Sequence, residues 1–183
     1  MNIHQLSLSY LNEQDRILVR INSADAQEIR LWFTRRLCLS WVAVLRSALD
    51  ARKAWHDETV PAWVGEFERL QHLKDADFST PFKGDAQSWP LGSEPLLVTT
   101  VSIAPGSDGG MEMRFEECLP GSQRQERSFQ AELAPKLVHG FMHLLEQALG
   151  TSQWEQTEAL ASVHLHSPEM EDYCPRQTQA YLH

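Results

Sequence analysis

Three consecutive runs near the N-terminus alternate apolar and polar residues, and no other feature of the chain constrains its fold so tightly. In Ile3–Leu11, Leu6, Leu8 and Tyr10 share one face, with Ser7 and Ser9 on the other. In Arg16–Asn22, Ile17, Val19 and Ile21 oppose Arg16, Leu18 and Arg20. In Glu28–Thr34, Ile29, Leu31 and Phe33 oppose Arg30 and Trp32. A period of two belongs to a half-buried strand, because successive side chains leave opposite faces of the sheet. The polar links at 12–15 and 23–27 are too short for a crossover, so the three runs predict an antiparallel meander.

The period then changes. From Arg35 to Trp55, Leu37, Trp41, Val44, Leu45, Ala48 and Leu49 recur at three- and four-residue spacing, which predicts a helix with Thr34 as its N-cap. Residues 57–75 predict a shorter helix, with Thr59 as cap, Pro61 at the first helical position, and Trp63, Val64, Phe67, Leu70 and Leu73 on one stripe. Pro81, Pro90 and Pro95 then forbid long regular structure. Residues 75–95 read as a linker anchored by Phe78, Phe82 and Trp89.

The second half repeats the order of the first. Leu96–Ile103 is a β-forming run, and the Pro- and Gly-rich stretch at 104–110 is a turn. Met111, Met113 and Phe115 alternate with Glu112, Arg114 and Glu116, and after a second turn at 119–122, Phe129, Ala131 and Leu133 mark a third strand. A helix follows over 135–149, with Leu137, Phe141, Leu144, Leu145 and Ala148 on one stripe and Gly150 as its C-terminal cap. The expected fold is therefore α+β, two repeated β-β-β-α units whose antiparallel meander sheets are backed by helices, with an extra linking helix. The units span 1–56 and 96–150, separated by the helix and linker at 57–95. Residues 151–183 form a C-terminal extension with one candidate strand at 159–166 and a polar tail. Segments 27–49 and 125–149 match in pattern with few identities, as an internal duplication would.

Composition narrows the functional classes. The formal net charge of −9 disfavours the phosphate backbone overall. The charge is uneven, however. Residues 1–55 carry eight Lys/Arg against five Asp/Glu, a balance of +3, and residues 56–183 carry eight against twenty, a balance of −12. Cys38, Cys118 and Cys174 are odd in number and contain no CxxC pair, which fits free thiols in a reducing compartment. The first residues lack the basic and apolar regions of a secretory signal, and no apolar stretch approaches the ~20 residues of a membrane span. The expectation is a soluble, cytoplasmic protein with no membrane partner.

No motif for nucleophilic catalysis, phosphate binding or dinucleotide binding is present. His139 and His143 share a helix face, but a zincin-type site needs Glu after the first His. Gly140 stands there instead, and no third ligand is evident. His164, His166, Glu169, Glu171, Asp172 and Cys174 gather possible ligands in a short acidic segment best read as exposed. Cys38 sits at a basic helix start, which lowers a thiol pKa, yet in an apolar run, which favours a buried structural cysteine. The chain is accordingly expected to be no enzyme and to hold no metal or cofactor.

The two outward sheet faces are the remaining lead. The first carries Arg16, Arg20, Arg30 and Trp32, with Arg35 and Arg36 at its edge. Guanidinium groups beside an aromatic suit single-stranded nucleic acid, where bases stack and phosphates are neutralised. The second carries Glu112, Glu116 and Glu132, which suits a protein partner or self-association of unlike faces. Over residues 3–149 the tandem of meander-plus-helix units resembles the Whirly and PC4-like single-stranded-DNA-binding proteins. That resemblance implies a broad sheet surface backed by helices and a single-stranded nucleic-acid partner. The chain departs from it in having three clear strands per unit rather than four, and in lacking a Lys-Gly-Lys-rich segment. The leading expectation is a non-enzymatic binding or regulatory protein acting through its sheet faces on another protein or on itself. Single-stranded nucleic-acid binding is the first alternative, and an enzyme with an unrecognised site the second.

Overall fold

A computed structural model describes residues 3–56, 62–74, 76–106, 110–119 and 127–154. The elements follow in the order β1 (Ile3–Leu11), β2 (Arg16–Ser23), β3 (Glu28–Thr34), α1 (Arg35–His56), α2 (Ala62–Lys74), β4 (Leu96–Leu97), β5 (Thr100–Pro105), β6 (Met111–Glu117), β7 (Arg127–Leu133) and α3 (Pro135–Ser152). The class is α+β. One sheet is ordered β1-β2-β3-β4 and the other β5-β6-β7. All strand pairs are antiparallel except β3 with β4. The sequence of three-strand meander and helix thus occurs twice.

The expected strand at 96–103 is divided between the two sheets. Leu96 and Leu97 lie parallel to Leu31 and Trp32 of β3, whereas Thr100–Pro105 pairs with β6. The change of partner falls between two successive amides: Val98 N–H donates to Trp32 O at 3.1 Å, and Thr99 N–H donates to Glu116 O at 2.9 Å. Successive N–H groups of extended chain point to opposite sides, so one run of chain serves both neighbours and joins the sheets. An ion pair fixes this seam. Arg127 Nε donates to Glu117 Oε2 at 2.6 Å, Leu97 N–H donates to Glu117 Oε1 at 3.1 Å, and Arg127 Nη1 reaches Leu91 O and Glu94 O. The hydrogen bond to Glu117 raises the Arg127 pKa, against an opposing effect of its partial burial.

The alternation read from the sequence orients the strands correctly. Ile17, Val19, Ile21, Ile29, Leu31, Phe33, Met111, Met113, Phe115, Phe129, Ala131 and Leu133 are buried. They join α1 and α3 in one apolar cluster that spans both halves of the chain. At its centre Phe33 of β3, Trp41 of α1, Phe115 of β6 and Phe141 of α3 meet ring to ring at 5.4–6.4 Å, mostly edge to face or tilted. Such pairs add about 0.5–1.5 kcal/mol each beyond the area they bury.

The helices need more revision. Thr34 caps α1 as expected, its Oγ1 accepting from Leu37 N–H at 3.3 Å. Val44 does not join the α1 stripe and is 55% exposed, because the buried stripe is Cys38, Trp41, Val42 and Leu45, which leaves Val44 on the flank. On α2, Phe67 and Leu70 are exposed rather than buried; the expected cap Thr59 and Pro61 lie outside the described residues. Gly150 is not the cap of α3. The helix runs through it to Ser152, and Gln153 takes the left-handed conformation at φ 57°. Trp154, just beyond, supplies the reason. Its ring is buried against Tyr10, edge to face at 5.4 Å, and its Nε1–H donates to Asp15 Oδ1 at 2.6 Å. Tyr10 O–H donates to the same Asp15 oxygen, and Arg35 Nη2 donates to Trp154 O. The end of α3 is thereby tied to the β1–β2 turn, and the helix extends to reach it.

Among the described residues, no helix is long and apolar enough to cross a membrane. The turns at 107–109 and 120–122, the candidate strand at 159–166 and the His/Cys cluster at 164–174 lie outside the described residues.

Breaking the seam is expected to be costly. Glu117→Ala leaves Arg127 and the Leu97 amide without their acceptor and should lower unfolding free energy by about 1.5–3 kcal/mol, read from urea denaturation. Cys38 gives a pH-dependent check on the core. Burial pushes its thiol up to about 12 from an ordinary 9.0. Above pH 9 the unfolded chain releases this proton while the folded chain retains it. The Cys38 contribution is therefore intact below pH 9 and is lost as pH climbs towards 12, by up to about 1.4 kcal/mol per pH unit. In thermal melts between pH 8 and pH 11, Cys38→Ala should show a shallower decline than the parent protein.

Candidate binding site

The segment at 76–95 is a strap rather than a free linker. From β1 it crosses the outward face of the first sheet. Lys83 N–H donates to Gln5 Oε1 at 3.1 Å, and Asn22 Nδ2 donates to Lys83 O at 2.7 Å. It then reaches β3, where Gln87 N–H donates to Ala26 O and Glu28 N–H donates to Ser88 O.

Two of the expected basic-face residues are engaged by this strap. Arg20 donates twice to Glu28, at 2.9 and 3.0 Å, and its guanidinium lies 4.2 Å from the centre of the Phe82 ring. Glu28 is only 4% exposed. Arg30 donates to Ser93 O and lies 5.4 Å from the centre of the Trp89 ring. Of the three expected anchors, Phe82 is half-buried against Arg20, whereas Phe78 and Trp89 are each 46% exposed. Arg16 and Trp32 are half-buried at the other end of the face, Arg35 is tied to Trp154, and Arg36 is exposed in the first turn of α1. The six residues do not form one open patch.

The outward face of the second sheet differs. Ser102, Arg114, Ser128, Gln130 and Glu132 are exposed. Glu116 accepts from Arg114 Nε at 2.8 Å, and Glu112 accepts from Gln130. Glu112, Glu116 and Glu132 share this outward face, the first two half-buried and Glu132 exposed.

The strap also creates a cleft that the sequence did not announce. It measures about 590 Å³ and lies between β1, residues 76–83 and α3. His4, Gln5 and Leu6 form one side, Phe78, Thr80, Phe82 and Lys83 a second, and Lys136, Leu137, Gly140 and Leu144 a third. Phe78 is set by an edge contact with His143 at 5.1 Å. Asp77 also borders the cleft, but its carboxylate accepts from the hydroxyls and amides of Thr80 and Ser79, at 2.5–3.1 Å. These hydrogen bonds, led by that of Thr80, hold it well below the usual carboxylate range and turn it into its own loop. The ammonium groups of Lys83 and Lys136 have no carboxylate partner among the described residues.

Gly140 is the one signal that sequence reasoning passed over. A glycine inside a helix costs about 1 kcal/mol against alanine, and one in an otherwise periodic stripe invites a packing reason. Here it is buried at the cleft wall, and a Cβ built on it would meet no atom within 4 Å. The glycine leaves room.

The histidines of α3 do not converge on a metal. His139 stacks on His72 of α2 at 5.1 Å, and His143 contacts Gln147 Nε2 at 3.1 Å. No group of three or more His, Cys, Asp or Glu that could hold a metal ion occurs among the described residues. Compared with protein families, with curated proteins and with solved structures, the chain finds no match in any of the three.

If Arg20 holds the strap through Phe82, its removal frees the segment. Arg20→Ala should accelerate tryptic cleavage after Lys83 several-fold under native conditions, while Arg36→Ala leaves the rate unchanged. The check is the time course of fragments by mass spectrometry.

Proposed function

We propose that this chain is a non-enzymatic binding protein that takes a small ligand in the cleft between β1, the 76–83 strap and α3. The observation that carries the reading is the combination of cleft and chemistry. A volume of about 590 Å³ falls within the roughly 300–1,000 Å³ common for small-molecule sites. Its lining mixes leucines and phenylalanines with the polar side chains of Gln5, Thr80, Lys83 and Lys136, and apolar walls with convergent polar groups are usual in such sites. The strap supports it further, since three side chains from the sheet hold that wall in place.

A second reading keeps the sheet faces as the working surface and assigns the partner to the second sheet. It is favoured by Glu112, Glu116 and Glu132 on one face, Glu132 exposed and the other two half-buried, which suits a basic protein surface. The single-stranded nucleic-acid alternative loses support, because Arg20 and Arg30 already have an acidic and an aromatic partner within the chain.

The cleft reading is tested by amide-resolved NMR with a fragment library. Hits should shift the amides of Leu6, Leu137 and Gly140 together. Hits that instead concentrate on β5–β7 would move the function to the second sheet.

A further inference from the structure

We propose that the ligand of this cleft is an amphipathic monoanion: one carboxylate or phosphate group joined to an apolar body. This rests on the reading of the cleft as the binding site and adds the chemistry that the site selects. The head group is assigned by charge. Lys83 on the strap and Lys136 on α3 come to the same cleft from segments more than fifty residues apart, and neither ammonium is neutralised by a carboxylate among the described residues. Asp77 contributes one opposing charge, and its oxygens already accept from Ser79 and Thr80. Two cations against one occupied anion leave the cleft positive within a chain of net charge −9. A local field opposed to that of the whole molecule concentrates anions there.

The body is assigned by the walls. Leu137 and Leu144 of α3 stand about two turns apart, with Gly140 between them. Phe78 and Phe82 line the cleft from the strap, Phe78 in edge contact with His143 of α3 and Phe82 against the Arg20 guanidinium. Two aromatic rings opposite two leucines favour a flat or extended apolar group. The space over Gly140 is where that group would lie, since any side chain there would project into it. A fully apolar ligand would leave both ammoniums unused, and a bare anion would leave the walls unused.

The experiment uses three probes with one body: 4-phenylbutyrate, 4-phenylbutanol and 4-phenylbutylamine, titrated into the full chain at low salt and followed by calorimetry and by the amide shifts of Leu137 and Gly140. The carboxylate is expected to bind about tenfold more tightly than the alcohol, with the amine weakest. Lys83→Ala combined with Lys136→Ala should erase the difference between carboxylate and alcohol. Gly140→Leu should abolish binding of both, with Gly140→Ala as the milder variant if leucine unfolds the helix. The ligand class is overturned, with the cleft still standing as the site, if the alcohol or the amine binds as tightly as the carboxylate and still shifts Leu137 and Gly140. If none of the three binds, or if binding survives Gly140→Leu in a folded protein, the cleft itself fails and the ligand class with it. Vesicles carrying an anionic lipid form the last arm. Binding to vesicles without binding of free phenylbutyrate would overturn a free monoanion in favour of a membrane surface.

Discussion

The strand run from Leu96 to Pro105 holds the molecule together. Its first residues hydrogen-bond to β3 and its later ones to β6, and the handover occurs between the Val98 and Thr99 amides. Without that shared run the two meanders would be separate sheets, each with a free edge and half a core. With it, Phe33 and Phe115 lie within 5.8 Å of each other, and the aromatic centre has one position for Trp41 and Phe141 to fill. The Glu117–Arg127 pair works at the same place. It sits where the incoming loop would otherwise present unmatched carbonyls, and it satisfies them with a charge that is itself balanced.

The first sheet illustrates how a surface that reads as a binding face becomes part of the scaffold. Alternation places Arg20, Glu28 and Arg30 on the side away from the core, and that side is normally solvated in an antiparallel sheet. Here the strap crosses it. The carboxylate of Glu28 is removed from water and paired at once with Arg20, while two aromatic rings cover the guanidiniums. Cation–aromatic contacts of the kind expected with a nucleic-acid base are thus made within the chain. The cleft adjoins this covering, because residues 76–83 of the strap form one of its walls beside β1 and α3.

The strands and their inward faces were legible because each depends on a local period. Ile17, Val19 and Ile21 need no knowledge of the rest of the chain to declare a buried side, and Thr34 declares the start of α1 by its chemistry. The break at Val98 was hidden, since an unbroken β-forming run looks the same whether it serves one sheet or two. Gly150 misled for a related reason: its fitness as a cap is local, whereas Trp154 reaching Tyr10 and Asp15 is a contact across some 140 residues. The cleft was least legible of all. Lys83 and Lys136 are ordinary surface lysines in sequence, and only Asn22, Gln5 and Arg20, acting on the strap from the far end of the chain, bring one to the other.

The position of α3 has a consequence for how the chain is made. This helix belongs by sequence to the second meander, yet it packs on β1 as well as on β7, and its end closes the first hairpin turn through Trp154. A ribosome delivers β1, β2 and β3 long before it delivers α3. Until then the nascent meander exposes the apolar side of Leu6, Leu8 and Tyr10 with no helix to cover it. Closing that distance carries the loop entropy of more than a hundred intervening residues. The native state is therefore completed only once α3 has been made, and a chain lacking α3 presents a half-covered apolar sheet to whatever chaperone or protease meets it first.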